Sequence, residues 1–85
     1  MDSYEQLETL LALAAQAGFQ VRRASTEGAD HPGGAVVRLR DRQMIFLDPA
    51  AAVADQAAVV ASALRGCELL EGIYLPPQVR ELIDG

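Results

Sequence analysis

Alanine supplies fifteen of the apolar residues in this 85-residue chain, so a 51% hydrophobic content overstates the core it can build. Alanine buries little area and makes good helix surface. What remains is 27 large side chains (Leu, Val, Ile, Phe, Met and Tyr), of which about twenty are expected to form one modest core. A chain this short buries roughly 60% of the surface its unfolded form exposes. The expectation is therefore a single small domain over residues 1–85, with a net stability on the order of 5 kcal/mol.

Periodicity and breakers divide the chain. Leu7, Leu10, Leu11, Ala14 and Ala17 recur at helical spacing over residues 4–17. Asp2 or Ser3 can cap that helix, with Glu5 or Gln6 three positions on, and Gly18 can stop it. Phe19–Ala24 reads as a strand with Phe19, Val21 and Arg23 on one side. Ser25–Gly34 reads as a loop whose Gly, Asp and Ser content predicts mobility over about 25–34.

Residues 35–40 and 43–48 read as a hairpin. A two-residue turn at Asp41-Arg42 sets Leu39 opposite Met44 and Val37 opposite Phe46, which predicts these four as the core face. The other face carries Val36, Arg38, Ile45 and Leu47. Asp48-Pro49 offers a helix cap followed by proline at the first helical position, with a later start near Val53 as the alternative. Val53, Ala57, Val60, Ala61 and Leu64 form that helix's inward stripe, and Gly66 ends it. Cys67–Leu75 reads as a connector with Leu69, Leu70, Ile73 and Leu75 turned inward. Pro76-Pro77 opens a last helix with Val79, Leu82 and Ile83 inward. The predicted fold is α+β in the order α-β-β-β-α-α: three helices and a three-stranded, mainly antiparallel sheet, with the Phe19–Ala24 strand joining one edge of the hairpin.

The chemical inventory is thin. There is one histidine, His31, one cysteine, Cys67, no lysine and no tryptophan. A zinc site needs about four N, S or O ligands, and a triad needs a base beside its nucleophile. Gly33-Gly34 precedes a strand, whereas a phosphate loop follows one and opens a helix; it reads as a flexible lead into the hairpin. Cys67 has only Arg65 near it to lower a thiol pKa. Glu68 and Glu71 lack a further polar partner and read as solvated. These readings predict no catalysis, no cofactor and no metal site.

A lone cysteine cannot make an internal disulfide, which fits a reducing cytoplasm. No signal peptide or membrane-length apolar run is read, so a cytoplasmic location without membrane contact is expected. The net charge of −5 counts against a general nucleic-acid binder. The segment 19–47 nevertheless holds five of the seven arginines, Arg22, Arg23, Arg38, Arg40 and Arg42, and these define the alternative of an anion- or nucleic-acid-binding sheet.

Two resemblances follow from the residues. A Gly-Gly lead, the strand Met44-Ile45-Phe46-Leu47-Asp48 and a helix reaching Ala61-Ser62-Ala63-Leu64-Arg65-Gly66 resemble the ImmA/IrrE-type zinc peptidase domain over roughly residues 33–66. That resemblance implies zinc histidines at Ser62 and Gly66 and the catalytic glutamate at Ala63; with all three replaced, the chain would be an inactive relative. The same Gly-Gly, hairpin and helix order, with the ending Ile73-Tyr74-Leu75-Pro76-Pro77-Gln78-Val79-Arg80, is also similar to a group of small uncharacterised bacterial proteins. This likeness implies a bacterial cytoplasmic protein and brings no activity or site residues.

The function expected is a non-catalytic module that self-associates as a homodimer or docks on a protein partner. With the helices on the Val37/Leu39/Met44/Phe46 face, Val36, Ile45 and Leu47 would stay open to a partner, with Arg38 as a polar rim. Tyr74, Pro76, Pro77 and Arg80 are added to this candidate surface because the two prolines make a rigid docking edge. The competing outcome is a C-terminal segment folded across that face, giving a self-contained monomer.

Overall fold

The structure, a computed structural model, describes residues 1–25 and 32–85. His31 and most of the predicted mobile loop lie outside the described residues. The elements run α1 (Ser3–Gln16), β1 (Phe19–Arg23), β2 (Gly34–Arg38), β3 (Gln43–Leu47), α2 (Val53–Leu64), a 3-10 turn (Glu68–Leu70) and α3 (Pro77–Asp84). The fold is α+β in the predicted order.

Local chemistry sets the ends of α1. The Glu5 amide donates to the Asp2 carboxylate at 2.8 Å, and Gly18, at φ +88°, turns the chain out of the helix. Leu13 is buried beside the expected Leu7, Leu10 and Ala14, because α1 packs on β1, α2 and α3 and so needs a wider apolar arc than one partner would.

The sheet order is β1-β3-β2, with β3 central. β2 pairs with β3 antiparallel and β1 pairs with β3 parallel, so the sheet is mixed rather than mainly antiparallel. β1 ends and β2 begins beside the carboxyl end of β3, and the chain is tied there on both sides. The Ala24 amide donates to the Leu47 carbonyl at 3.0 Å, and the Asp48 amide donates to the Gly33 carbonyl at 2.9 Å.

Two expectations about the hairpin are corrected. Val37 lies opposite Met44 and Ala35 opposite Phe46, two residues away from the predicted register. The Leu39 amide donates to the Arg42 carbonyl at 2.8 Å, so Leu39 pairs with Arg42 and the two-residue turn falls at Arg40-Asp41, one position before the predicted Asp41-Arg42. A slip of two residues keeps every side chain on its own face, and the predicted division into two faces therefore holds. The choice of core face does not. Ile45 and Leu47 are fully buried (0% exposed), whereas Leu39 is 51% exposed and Val37, Met44 and Phe46 are half-buried on the outer side.

Arg38 is the physical cause of that inversion. A charged residue counts against its face as core, but Arg38 is the last residue of β2 and its guanidinium donates to the Ala63 carbonyl at 3.3 Å. The long stem lets the charge escape to the rim while the rest of the face is buried. α1 covers β1, and α2 covers β2 and β3.

Asp48-Pro49 makes a turn, not the start of a helix. The Asp48 carboxylate accepts from the Ala50 amide at 2.9 Å, and α2 begins later, at Val53. Gly33 and Gly34 are both buried, which corrects their reading as a flexible lead. A Cβ on Gly33 (φ +95°) would stand 2.5 Å from the Asp55 carbonyl oxygen, and one on Gly34 would overlap the Phe46 carbonyl oxygen. Only glycine lets β2 start so close to α2 and β3.

In the connector only Leu75 is buried; Leu70 and Ile73 are half-buried and Leu69 is exposed. α3 buries Val79 and Ile83 against α2 and α1 and reaches no strand. The Arg65 guanidinium donates to the Ile83 carbonyl at 2.8 Å and so satisfies a carbonyl in the last turn of α3. The C-terminal segment therefore backs the helices and leaves the sheet's outer face alone. Among the described residues no helix is long and apolar enough to cross a membrane.

Candidate interaction surface

The hydrogen bonds that flank the hairpin fix which way each strand residue points its backbone. Leu39 with Arg42, and Gly33 with Asp48, are hydrogen-bonded pairs of the β2–β3 ladder. Such pairs alternate in an antiparallel ladder, so Ala35 and Val37 also turn their amides and carbonyls toward β3. Gly34, Val36 and Arg38 turn theirs to the opposite side. No strand lies on that side among the described residues. The free edge of β2 therefore offers three residues' worth of unused main-chain donors and acceptors.

A groove of about 370 Å³ runs beside this edge, between Gly34, Ala35 and Val36 of the sheet and Asp55, Ala58 and Ser62 of α2. α2 runs in the same direction as β2: Gly33 abuts Asp55 at one end, and Arg38 reaches Ala63 at the other. Asp55 thus stands at one end of the β2 edge, in the groove, and Arg38 at the other end, just beyond the groove, about 13 Å apart along the strand. Neither residue forms an ion pair within the described residues. The outward positions of α2, at Ala54, Ala58 and Ser62, are all small and exposed. The Ser62 hydroxyl is turned inward and donates to the Val59 carbonyl at 2.8 Å.

The structure separates the residues singled out from sequence. Val36 and Arg38 lie on the β2 edge, Val36 half-buried and Arg38 exposed. Ile45 and Leu47 are core residues under α2, so they offer no contact surface. Tyr74 is 81% exposed, Pro77 and Arg80 are exposed and Pro76 is half-buried. These four belong to the approach to α3 and to α3 itself, which backs the helices and touches no strand, so they do not join Val36 and Arg38 in one surface. Asp55, Ala58 and Ser62 were missed. Their sequence signal was the spacing of small residues within the alanine-rich 50–63 stretch, and only the placement of α2 beside an open strand gives it meaning.

The other candidate chemistries are dispersed. Arg22 and Arg23 pair with Phe46 and Leu47 at one end of β3, on opposite faces of the sheet. Arg40 and Arg42 sit in the turn at the other end, where Arg42 lies 4.0 Å from the Asp41 carboxylate. Among the described residues no three His, Cys, Asp or Glu side chains come together in a way that could hold a metal ion. Of the three positions matched to the peptidase motif, Ser62 and Ala63 lie on α2, but α2 ends at Leu64, so Gly66 falls beyond the helix. Gln56 is buried; its amide nitrogen donates to the Ala51 carbonyl at 3.0 Å and its oxygen has no partner among the described residues.

No family model, no curated protein and no solved structure matches this chain.

Proposed function

We propose that this protein is a non-catalytic interaction module that associates through the uncovered side of its sheet. One observation carries the reading: among the described residues the helices cover only the Ile45/Leu47 face, so Val37, Met44, Phe46 and the 51%-exposed Leu39 lie outside, next to a β2 edge on which no described strand pairs. A one-sided sheet with an apolar outer face and an unpaired edge is the arrangement that other chains cover. The arginines, set at both ends of the sheet and on both faces, supply no single anionic-ligand surface, so the nucleic-acid reading draws less support.

Sedimentation velocity from about 10 μM to about 1 mM, the range in which small interfaces associate, tests the reading. Reversible association, with amide shifts confined to β2, β3 and the outer face, is the expected result. A chain that stays monomeric throughout, with the sheet-side amides unmoved, overturns it.

A further inference from the structure

The two ends of the β2 edge carry opposite charge, and a two-fold axis would exchange them. We infer that two copies of this chain pair along β2, antiparallel and centred on Val36, into one continuous six-stranded sheet. The inference rests on the reading of the chain as an interaction module and names its partner, a second copy, and its contact.

Three observations converge on this pairing. The first is main-chain chemistry. The amides and carbonyls of Gly34, Val36 and Arg38 point away from β3. An axis through Val36 sets it in a hydrogen-bonded pair with the partner's Val36, and sets Gly34 opposite the partner's Arg38. All three free residues of each copy are then used.

The second is space. α2 rests on both β2 and β3. Across the axis its counterpart would lie two strand spacings away, or about 10 Å, which is the separation of packed helices. That approach requires small residues on the facing side. Ala54, Ala58 and Ser62 stand there, exposed and one turn apart.

The third is charge. Within one copy Asp55 lines the Gly34 end of the groove, while Arg38 lies at the far end of β2, past Ser62, with its guanidinium on the Ala63 carbonyl; neither forms an ion pair among the described residues. The axis lays the partner's Arg38 over Gly34, next to Asp55, twice in the dimer. A foreign strand would gain the main-chain bonds but would have no reason to match both charged ends. The contact is small. A strip about 16 Å long and two layers deep covers a few hundred Å² of each copy, below the roughly 800 Å² per partner of a standard interface. The dimer is therefore weak, with dissociation in the micromolar range or above.

The test is sedimentation velocity at about 1 mM on the wild type, Val36→Pro, Arg38→Asp, Asp55→Arg and the double variant Arg38→Asp/Asp55→Arg. The Val36 amide serves the outer edge and not β3, so proline there blocks the edge without cutting the hairpin ladder. The expected result is a dimeric wild type, a monomeric Val36→Pro with native circular dichroism, at least about tenfold weaker association in each charge variant, and recovery in the double variant. If Val36→Pro unfolds, the two charge variants and their double still decide. A wild type that dimerises equally well in every edge variant but not in Phe46→Lys overturns edge pairing and leaves the interaction module standing on its outer face. A monomeric wild type overturns both.

Discussion

The two faces of the sheet have nearly the same sequence character and opposite fates. One carries Val21, Val36, Ile45 and Leu47; the other carries Ala35, Val37, Met44 and Phe46. On the hairpin the pattern alone would rank the second at least as high, because it carries no charge on β2 or β3 whereas Arg38 ends the first, to which β1 also brings the buried Phe19. The first face is nevertheless the core, with Ile45 and Leu47 wholly out of solvent. Burial is decided by where the helices land. A charged residue at a strand end is weak evidence about its face, since an arginine stem can lie along apolar surface while its head stays wet.

This contrast can be broken most directly at Ile45. Ile45→Ala should cost about 3 kcal/mol, because deleting buried methyl groups loses transfer energy and leaves a cavity. In a domain with a net stability on the order of 5 kcal/mol, that brings the urea midpoint down by more than half. Gly34→Ala comes next. The added methyl would overlap the Phe46 carbonyl oxygen, and a cost of about 2 kcal/mol is expected from the strain and loss of ladder geometry. The same change at Gly72, where nothing stands within 4 Å of the added Cβ, isolates the backbone part of that cost. Phe46→Ala should cost only about 1 kcal/mol despite removing the larger side chain, because half-buried outer-face contacts are all it loses. Equal or reversed midpoints for Ile45→Ala and Phe46→Ala would mean that the outer face is covered and that the sheet is not one-sided.

The sheet's edges differ in the same way as its faces. β1 and β2 both flank β3, but among the described residues it is β2 that has a charged residue near each end, Asp55 and Arg38, and a groove against a helix of small residues beside it. The open main chain is common to both edges; the flanking chemistry makes one of them selective. The edge variants and the Phe46→Lys control therefore ask which part of the uncovered side carries association, and the answer has the smallest energetic reading of all these tests.

Much of the fold was legible locally. Asp2 and Gly18 bound α1, Pro77 opens α3, and the sites of all three strands followed from alternation and breakers. These signals are short-range: a cap, a φ constraint and a period act within one or two turns. The candidate surface was legible only in fragments. Val36 and Arg38 were found because they lie on one strand, but the structure adds Asp55, Ala58 and Ser62 from an element twenty residues away. Tyr74, Pro76, Pro77 and Arg80 had only local distinctiveness to recommend them, and they sit with the helices.

The sequence by itself determined the element order, the helix ends and the division of each strand into two faces, because alternation and capping are properties of neighbouring residues. Tertiary structure alone decided the parallel pairing of β1 with β3, the placement of the two-residue turn at Arg40-Asp41 and the choice of core face. Those depend on which surfaces meet, and a two-residue register slip or an exchange of faces leaves the alternating pattern unchanged.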